Sequence, residues 1–123
     1  MSKKIMVVDD SPNIRKAIKL VLESEGFEVE TARDGPECLK KLKQNCPDLI
    51  LLDIIMPRNG VHVLKDIMKL GLKSKVAMLT VVGLESMVEE CKRLGAEDFI
   101  AKPFDNRELV RRVKQLVGEK TRG

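Results

Sequence analysis

Five residues of the 123-residue sequence could do chemistry together: Asp9, Asp10, Asp53, Thr80 and Lys102. Each has a plain structural reading on its own. An aspartate can cap a helix, a threonine suits a strand, and a loop lysine can simply be solvated. Each, however, stands where a short β-type run ends. Ile5–Val8 leads into Asp9-Asp10, Leu49–Leu52 into Asp53, Val76–Leu79 into Thr80, and Asp98–Ala101 into Lys102-Pro103. If these runs are neighbouring strands, all five residues meet at one edge of a sheet. Three carboxylates there would repel one another, by about 4 kcal/mol per pair at ~4 Å and an effective dielectric of 20. Either one carboxyl stays protonated or a cation binds. All-oxygen ligands suit a hard ion, and Mg²⁺, which keeps several of its waters, is the expected one. Lys102 adds a second positive charge and Thr80 a hydroxyl donor. This set fits the stabilisation of a transferring phosphoryl group, with Asp53 as the nucleophile that becomes an acyl phosphate. No Ser/His/Asp or Cys/His arrangement competes, and His62, the single histidine, is expected on the surface of a helix.

The elements that must position these residues alternate regularly. Leu49-Ile50-Leu51-Leu52 is apolar without interruption, as in a strand buried on both faces of a parallel sheet. Ser11-Pro12 starts a first helix, with Ser11 as cap and Pro12 at its first position, and Gly26 ends it. Phe27–Ala32 reads as a second strand and Gly35–Asn45 as a second helix. A third helix follows Gly60 and stops at Gly71, and a fourth follows Gly83 and stops at Gly95. Asn106 is expected to cap a fifth, with the stripe Leu109, Val110, Val113, Leu116 and Val117. Five βα units imply an α/β fold with a doubly wound, five-stranded parallel sheet of order 2-1-3-4-5, flavodoxin-like (βα)5. The first and last helices then share one face, and the strand order reverses between the strands that end in Asp9-Asp10 and Asp53.

Composition excludes several classes. Hydrophobic residues are 43% and charged residues 34% of the chain, a globular balance, and no apolar run approaches the ~20 residues of a membrane span. There is no signal-peptide pattern, and Cys38, Cys46 and Cys91 lack metal-ligand spacing, so reduced thiols and a cytoplasmic location are expected. The net charge is +4. The densest basic group, Arg107, Arg111, Arg112, Lys114, Lys120 and Arg122, has no interleaved aromatics, which argues against direct nucleic-acid binding.

The combination of Val-Val-Asp9-Asp10 with Arg15 shortly after, Leu-Leu-Asp53-Ile-Ile-Met-Pro57, Met-Leu-Thr80, and Gly95-Ala-Glu-Asp-Phe99-Ile-Ala-Lys102-Pro103-Phe104 resembles the receiver domain of two-component response regulators. It is closest in kind to the single-domain, CheY-like members. The resemblance implies one receiver domain over residues 1–123, with a core of about 4–118 and a short tail, 119–123, and no effector domain after Gly118. It implies that Asp53 is the phosphoacceptor, taking phosphate from a sensor histidine kinase. Asp10 and Asp53 would bind Mg²⁺ directly, Asp9 would act through water, and the Ile55 backbone carbonyl would complete the protein's ligands. Thr80 and Lys102 would hold the phosphoryl oxygens, Phe99 would be the switch aromatic, and the Lys102-Pro103 bond would be cis. The protein would be a switch and not a turnover enzyme, although it would promote its own phosphorylation and dephosphorylation. Its effector would read the face formed by helix 4, strand 5 and helix 5, and the chain would be a monomer or weak dimer.

The sequence departs from the family in two places. Only Arg58 and Asn59 separate Pro57 from Gly60, one residue fewer than usual, so metal binding should survive while the outer surface of the loop is unusual. Val81 is bulkier than the usual residue after the threonine, and Ile55 and Val82 are both apolar. Neither could orient an attacking water, so slow self-dephosphorylation is expected. Two other readings remain: a receiver-like scaffold that no longer uses phosphate, and a phosphohydrolase of the haloacid-dehalogenase kind. The latter requires a second Asp two residues after the nucleophile, where this sequence has Ile55.

Overall fold

The central run Leu49–Leu52 has no polar side chain to offer water, and the fold gives it none to meet. In the computed structural model, which describes residues 2–118, β3 (Leu49–Asp53) is buried along its whole length. It lies between β1 (Lys4–Val8) and β4 (Lys75–Thr80), with β2 (Glu28–Ala32) and β5 (Asp98–Ala101) at the edges. All pairings are parallel and the order is β2-β1-β3-β4-β5, as the sequence implies. The expected tail, 119–123, with Lys120 and Arg122, lies outside the described residues. No helix among the described residues is long and apolar enough to cross a membrane.

Alternation along the strands divides the core in two. Ile5, Val7, Leu49, Leu51, Ala77 and Leu79 face α1 (Pro12–Ser24) and α5 (Asn106–Val117), against Ile18, Leu22, Leu109 and Val113. Met6, Val8, Ile50, Leu52, Val76 and Met78 face the other way. There α2 (Gly35–Leu42), α3 (Gly60–Lys69) and α4 (Glu85–Leu94) supply Cys38, Leu42, Leu64, Ile67 and Cys91. Burying each of the Val, Leu, Ile and Met side chains contributes roughly 1.5–3 kcal/mol, so both layers clamp the sheet whose edge carries the site.

The strands β1, β2 and β4 start one residue away from the sequence reading, and three helix boundaries also differ, each for a local reason. α2 ends at Leu42 and not at Asn45: Gln44 and Asn45 both donate to the Lys41 carbonyl, at 3.0 Å, in a closing turn. The chain must leave helical geometry before Pro47, whose ring disfavours it at Cys46. The cap of α5 is Asp105 and not Asn106; its carboxylate accepts from the Arg107 N–H at 2.7 Å, and Asn106 is the first helical residue. Gly60 is the first residue of α3 and does not precede it; Asn59 is the cap, accepting from the Val61 N–H at 2.8 Å. His62 is exposed on α3, and Cys38 and Cys91 are buried while Cys46 is exposed.

The short Pro57–Gly60 loop closes directly behind β3. The Gly60 N–H donates to the Ile54 carbonyl at 2.9 Å. A Cβ at Gly60 would run into the Asp53 carbonyl oxygen and lie 2.7 Å from the Ile54 Cα, both main-chain atoms that cannot swing aside. Gly60→Ala should therefore cost about 2–3 kcal/mol of stability. A urea denaturation curve checks this, and an unchanged midpoint would show that the loop shifts freely.

Candidate functional site

The carboxyl ends of β1, β3, β4 and β5 deliver the chemistry. Asp53 is the last residue of β3 and is 4% exposed; the Ile55 N–H donates to its Oδ1 at 3.1 Å. Asp9, just past β1, is 0% exposed. Its Oδ1 accepts from the Ser11 N–H at 2.9 Å, and its Oδ2 accepts from the Lys102 ammonium at 2.5 Å. Lys102 is anchored by its own N–H, which donates to the Thr80 carbonyl at 2.6 Å, and its ammonium is also 3.4 Å from Asp53 Oδ2. Asp10 is exposed. One oxygen from each of Asp9, Asp10 and Asp53 lies within 4.8 Å of the others. The Lys102-Pro103 peptide is cis.

This geometry belongs with a wider set of proteins. The sequence model of the response regulator receiver domain matches residues 5–114. The chain belongs to the response regulator receiver family. The chemotaxis protein CheY of Thermotoga maritima is 35% identical over 118 residues, which are 94% of this chain and 98% of that protein. The alkaline phosphatase synthesis transcriptional regulatory protein PhoP of Bacillus subtilis is 40% identical over 126 residues, but this chain spans only 49% of its length. Against the chemotaxis protein CheY4 of Vibrio cholerae the TM-score is 0.89 at 31% identity, covering 94% of this chain and 99% of that one.

The electrostatics of this receiver domain fit a cation. Burial and the neighbouring Asp9 carboxylate push the Asp53 carboxyl up to about 6, although Lys102 and the Ile55 N–H pull in the other direction. One ammonium does not offset two buried carboxylates and a third beside them. The donor set is oxygen only, as Mg²⁺ prefers. Asp9, Asp10 and Asp53 could hold such an ion together with solvent.

The other side chains singled out in the sequence sit around this centre without joining it. The half-buried Thr80 donates its hydroxyl to the Val81 carbonyl, 3.3 Å away, and not to a carboxylate. Phe99, in β5, is half-buried, with the Lys92 ammonium 5.8 Å from its ring centroid. Between the end of β4 and α4 lies an open groove of about 290 Å³, lined by Thr80, Val81, Leu84, Val88 and Lys92 among others. Ile55 is 50% exposed and Val82 is 94% exposed, so both stand at the surface beside the mouth of the site. Two contacts were not legible beforehand: the Lys102–Asp9 ion pair, and a hydrogen bond of 2.6 Å from the Arg15 guanidinium to the Asp9 carbonyl. The signal for the second was the placement of Arg15 one turn into the helix that follows Asp9.

Asp53 gives the metal-free protein a characteristic pH dependence. Between the ordinary value of 3.8 and about 6, the folded chain holds a proton on Asp53 that the unfolded chain has released. The stability this group contributes is therefore complete in acid, falls as the pH rises through that window, and stays low above it. Asp53→Asn removes the buried charge, so in EDTA at pH 8 it should be more stable than wild type by on the order of 2 kcal/mol. The gap should shrink toward pH 4. Urea denaturation at both pH values checks this, and a wild type at least as stable as the variant at pH 8 would contradict it.

Proposed function

We propose that this receiver domain is the phosphorylation-activated switch of a two-component phosphorelay, accepting a phosphoryl group on Asp53 from a sensor histidine kinase. The observation that carries this reading is the buried Asp53 carboxylate, sharing a 4.8 Å cluster with Asp9 and Asp10 and lying 3.4 Å from the Lys102 ammonium. In the transfer, an Asp53 oxygen attacks phosphorus, the bond from phosphorus to the donor nitrogen breaks, and the imidazole keeps that electron pair. Mg²⁺, when bound, would supply positive charge that offsets the carboxylates and stabilises the charge developing on the transferring group. Asp10 and Asp53 are the proposed direct ligands, with Asp9 acting through water and the Ile55 carbonyl as a further ligand. Lys102 would turn from the carboxylates to the new phosphoryl oxygens, and Thr80 would give up its bond to Val81 to donate to another.

That change supplies the switching energy. A phosphoryl group adds roughly −1.5 to −2 charges and three strong acceptors. Thr80 and Lys102 meet those acceptors only in the modified state, which biases an existing equilibrium between two arrangements. Movement of Thr80 would free space for Phe99 to turn inward. α4, β5 and α5 would carry the change to an effector protein. We assign this receiver domain to the cytoplasm, acting through partner proteins, as a monomer or weak dimer, and without direct contact of its own with nucleic acid or membrane. A phosphate-independent scaffold would have no use for a charged cluster that is costly to bury. A haloacid-dehalogenase-type hydrolase would need a carboxylate at Ile55.

The test is intact mass after treatment with a small acyl phosphate and Mg²⁺. Wild type should gain one phosphoryl group and Asp53→Asn none. A wild type that gains nothing would contradict the switch, and an equal gain by the variant would contradict the site. After the donor is removed, the phosphoprotein should persist for minutes or longer, because Ile55 and Val82 offer no group to orient water. Loss within seconds would contradict that part.

A further inference from the structure

Arg15 belongs to the sequence motif that marks this family, yet it has no part in the chemistry above. Its side chain is half-buried, and its Nη1 donates to the backbone carbonyl of Asp9 at 2.6 Å. The Arg15 N–H bonds to the Ser11 carbonyl, so the residue sits in the first turns of α1. Helical side chains lean toward the N-terminus, which carries the guanidinium back over the end of β1.

The carbonyl it holds is a particular one. Val8 is the last residue of β1 to pair, with Ala32 on one side and Leu52 on the other. The Asp9 N–H still reaches the Ala32 carbonyl at 3.2 Å. The Asp9 carbonyl, in contrast, belongs to the peptide that joins Asp9 to Asp10 and leaves the sheet. That peptide is planar, so the direction of its carbonyl sets the direction in which the chain delivers Asp10. Asp9 has its side chain fixed independently, by the Ser11 N–H and Lys102. The exposed Asp10 carboxylate takes no protein hydrogen bond among the described residues, so its aim depends on the backbone.

We propose that Arg15 is a positioning residue for the divalent cation: by holding the Asp9–Asp10 peptide it makes the Asp10 carboxylate converge with those of Asp9 and Asp53. This rests on the metal-binding part of the function proposed above. Two effects of the guanidinium have opposite signs. As a nearby positive charge it weakens cation binding, so its removal would tighten it. As an orienting group it favours binding, and partners that orient metal ligands typically contribute 10- to 100-fold in affinity.

The test is a Mg²⁺ titration followed by amide NMR shifts, on wild type, Asp10→Asn, Arg15→Met and Arg15→Lys, with melting temperatures in EDTA alongside. Arg15→Met should bind Mg²⁺ roughly tenfold more weakly while still folding. Arg15→Lys keeps the charge but lacks the planar fork, and should fall between it and wild type. Equal or tighter binding by Arg15→Met overturns the inference. If Arg15→Met does not fold, Arg15→Lys decides: weaker binding upholds the inference and wild-type binding overturns it. A wild type that does not bind Mg²⁺ overturns the metal reading and this inference with it. Binding that is lost in Asp10→Asn but unchanged in Arg15→Met overturns this inference alone.

Discussion

The repulsion between carboxylates at the end of the central strand is the constraint around which the site is built. Asp9 and Asp53 are both buried, Asp10 stands beside them, and an oxygen of each lies within 4.8 Å of the others. Left alone, such a cluster disfavours its own ionisation, and the raised Asp53 carboxyl is the sign of it. Lys102 answers part of the imbalance, pairing closely with Asp9 and more loosely with Asp53. What is left over favours positive charge beside the Asp53 carboxylate.

The rest of the molecule makes that arrangement rigid. β3 is apolar and buried on both faces, so Asp53 cannot relax toward solvent by moving its strand. Gly60 closes the loop behind it against main-chain atoms, and Asn59 turns the same short loop into the start of α3. On the opposite side, Ser11 caps α1 and its N–H holds Asp9. The elements at the rim are more loosely built. α4 begins without a side-chain cap and has one fully buried residue, Cys91. It packs on the core mainly through partly buried residues, Met87, Val88 and Leu94.

Much of this was legible in the sequence because it depends on strong, local signals. An uninterrupted apolar run, Leu49–Leu52, reads as a doubly covered strand, and a carboxylate just past it reads as a site. Right-handed crossovers leave few orders for five βα units, and the observed order is the expected one. The misread start of α5 shows where residue type runs out. Asp105 and Asn106 are both competent caps, and only the backbone angles select between them. The same limit hid the pairing of Lys102 with Asp9 and of Arg15 with the Asp9 carbonyl. Each contact is made by a long side chain, Lys102 or Arg15, whose end is placed by tertiary geometry and not by residue type.

The central claim is that burial and the crowding of carboxylates raise the Asp53 carboxyl above its ordinary range, and that a bound divalent cation would lower it again. The most direct measurement is a pH titration of the Asp53 side-chain carboxyl by ¹³C NMR, in EDTA and in Mg²⁺. Without metal the midpoint should lie near 6, well above the ordinary 3.8. With Mg²⁺ it should move below the usual carboxylate range, because the bound ion favours the ionised form. A midpoint at the ordinary value in EDTA, unmoved by Mg²⁺, would contradict the account.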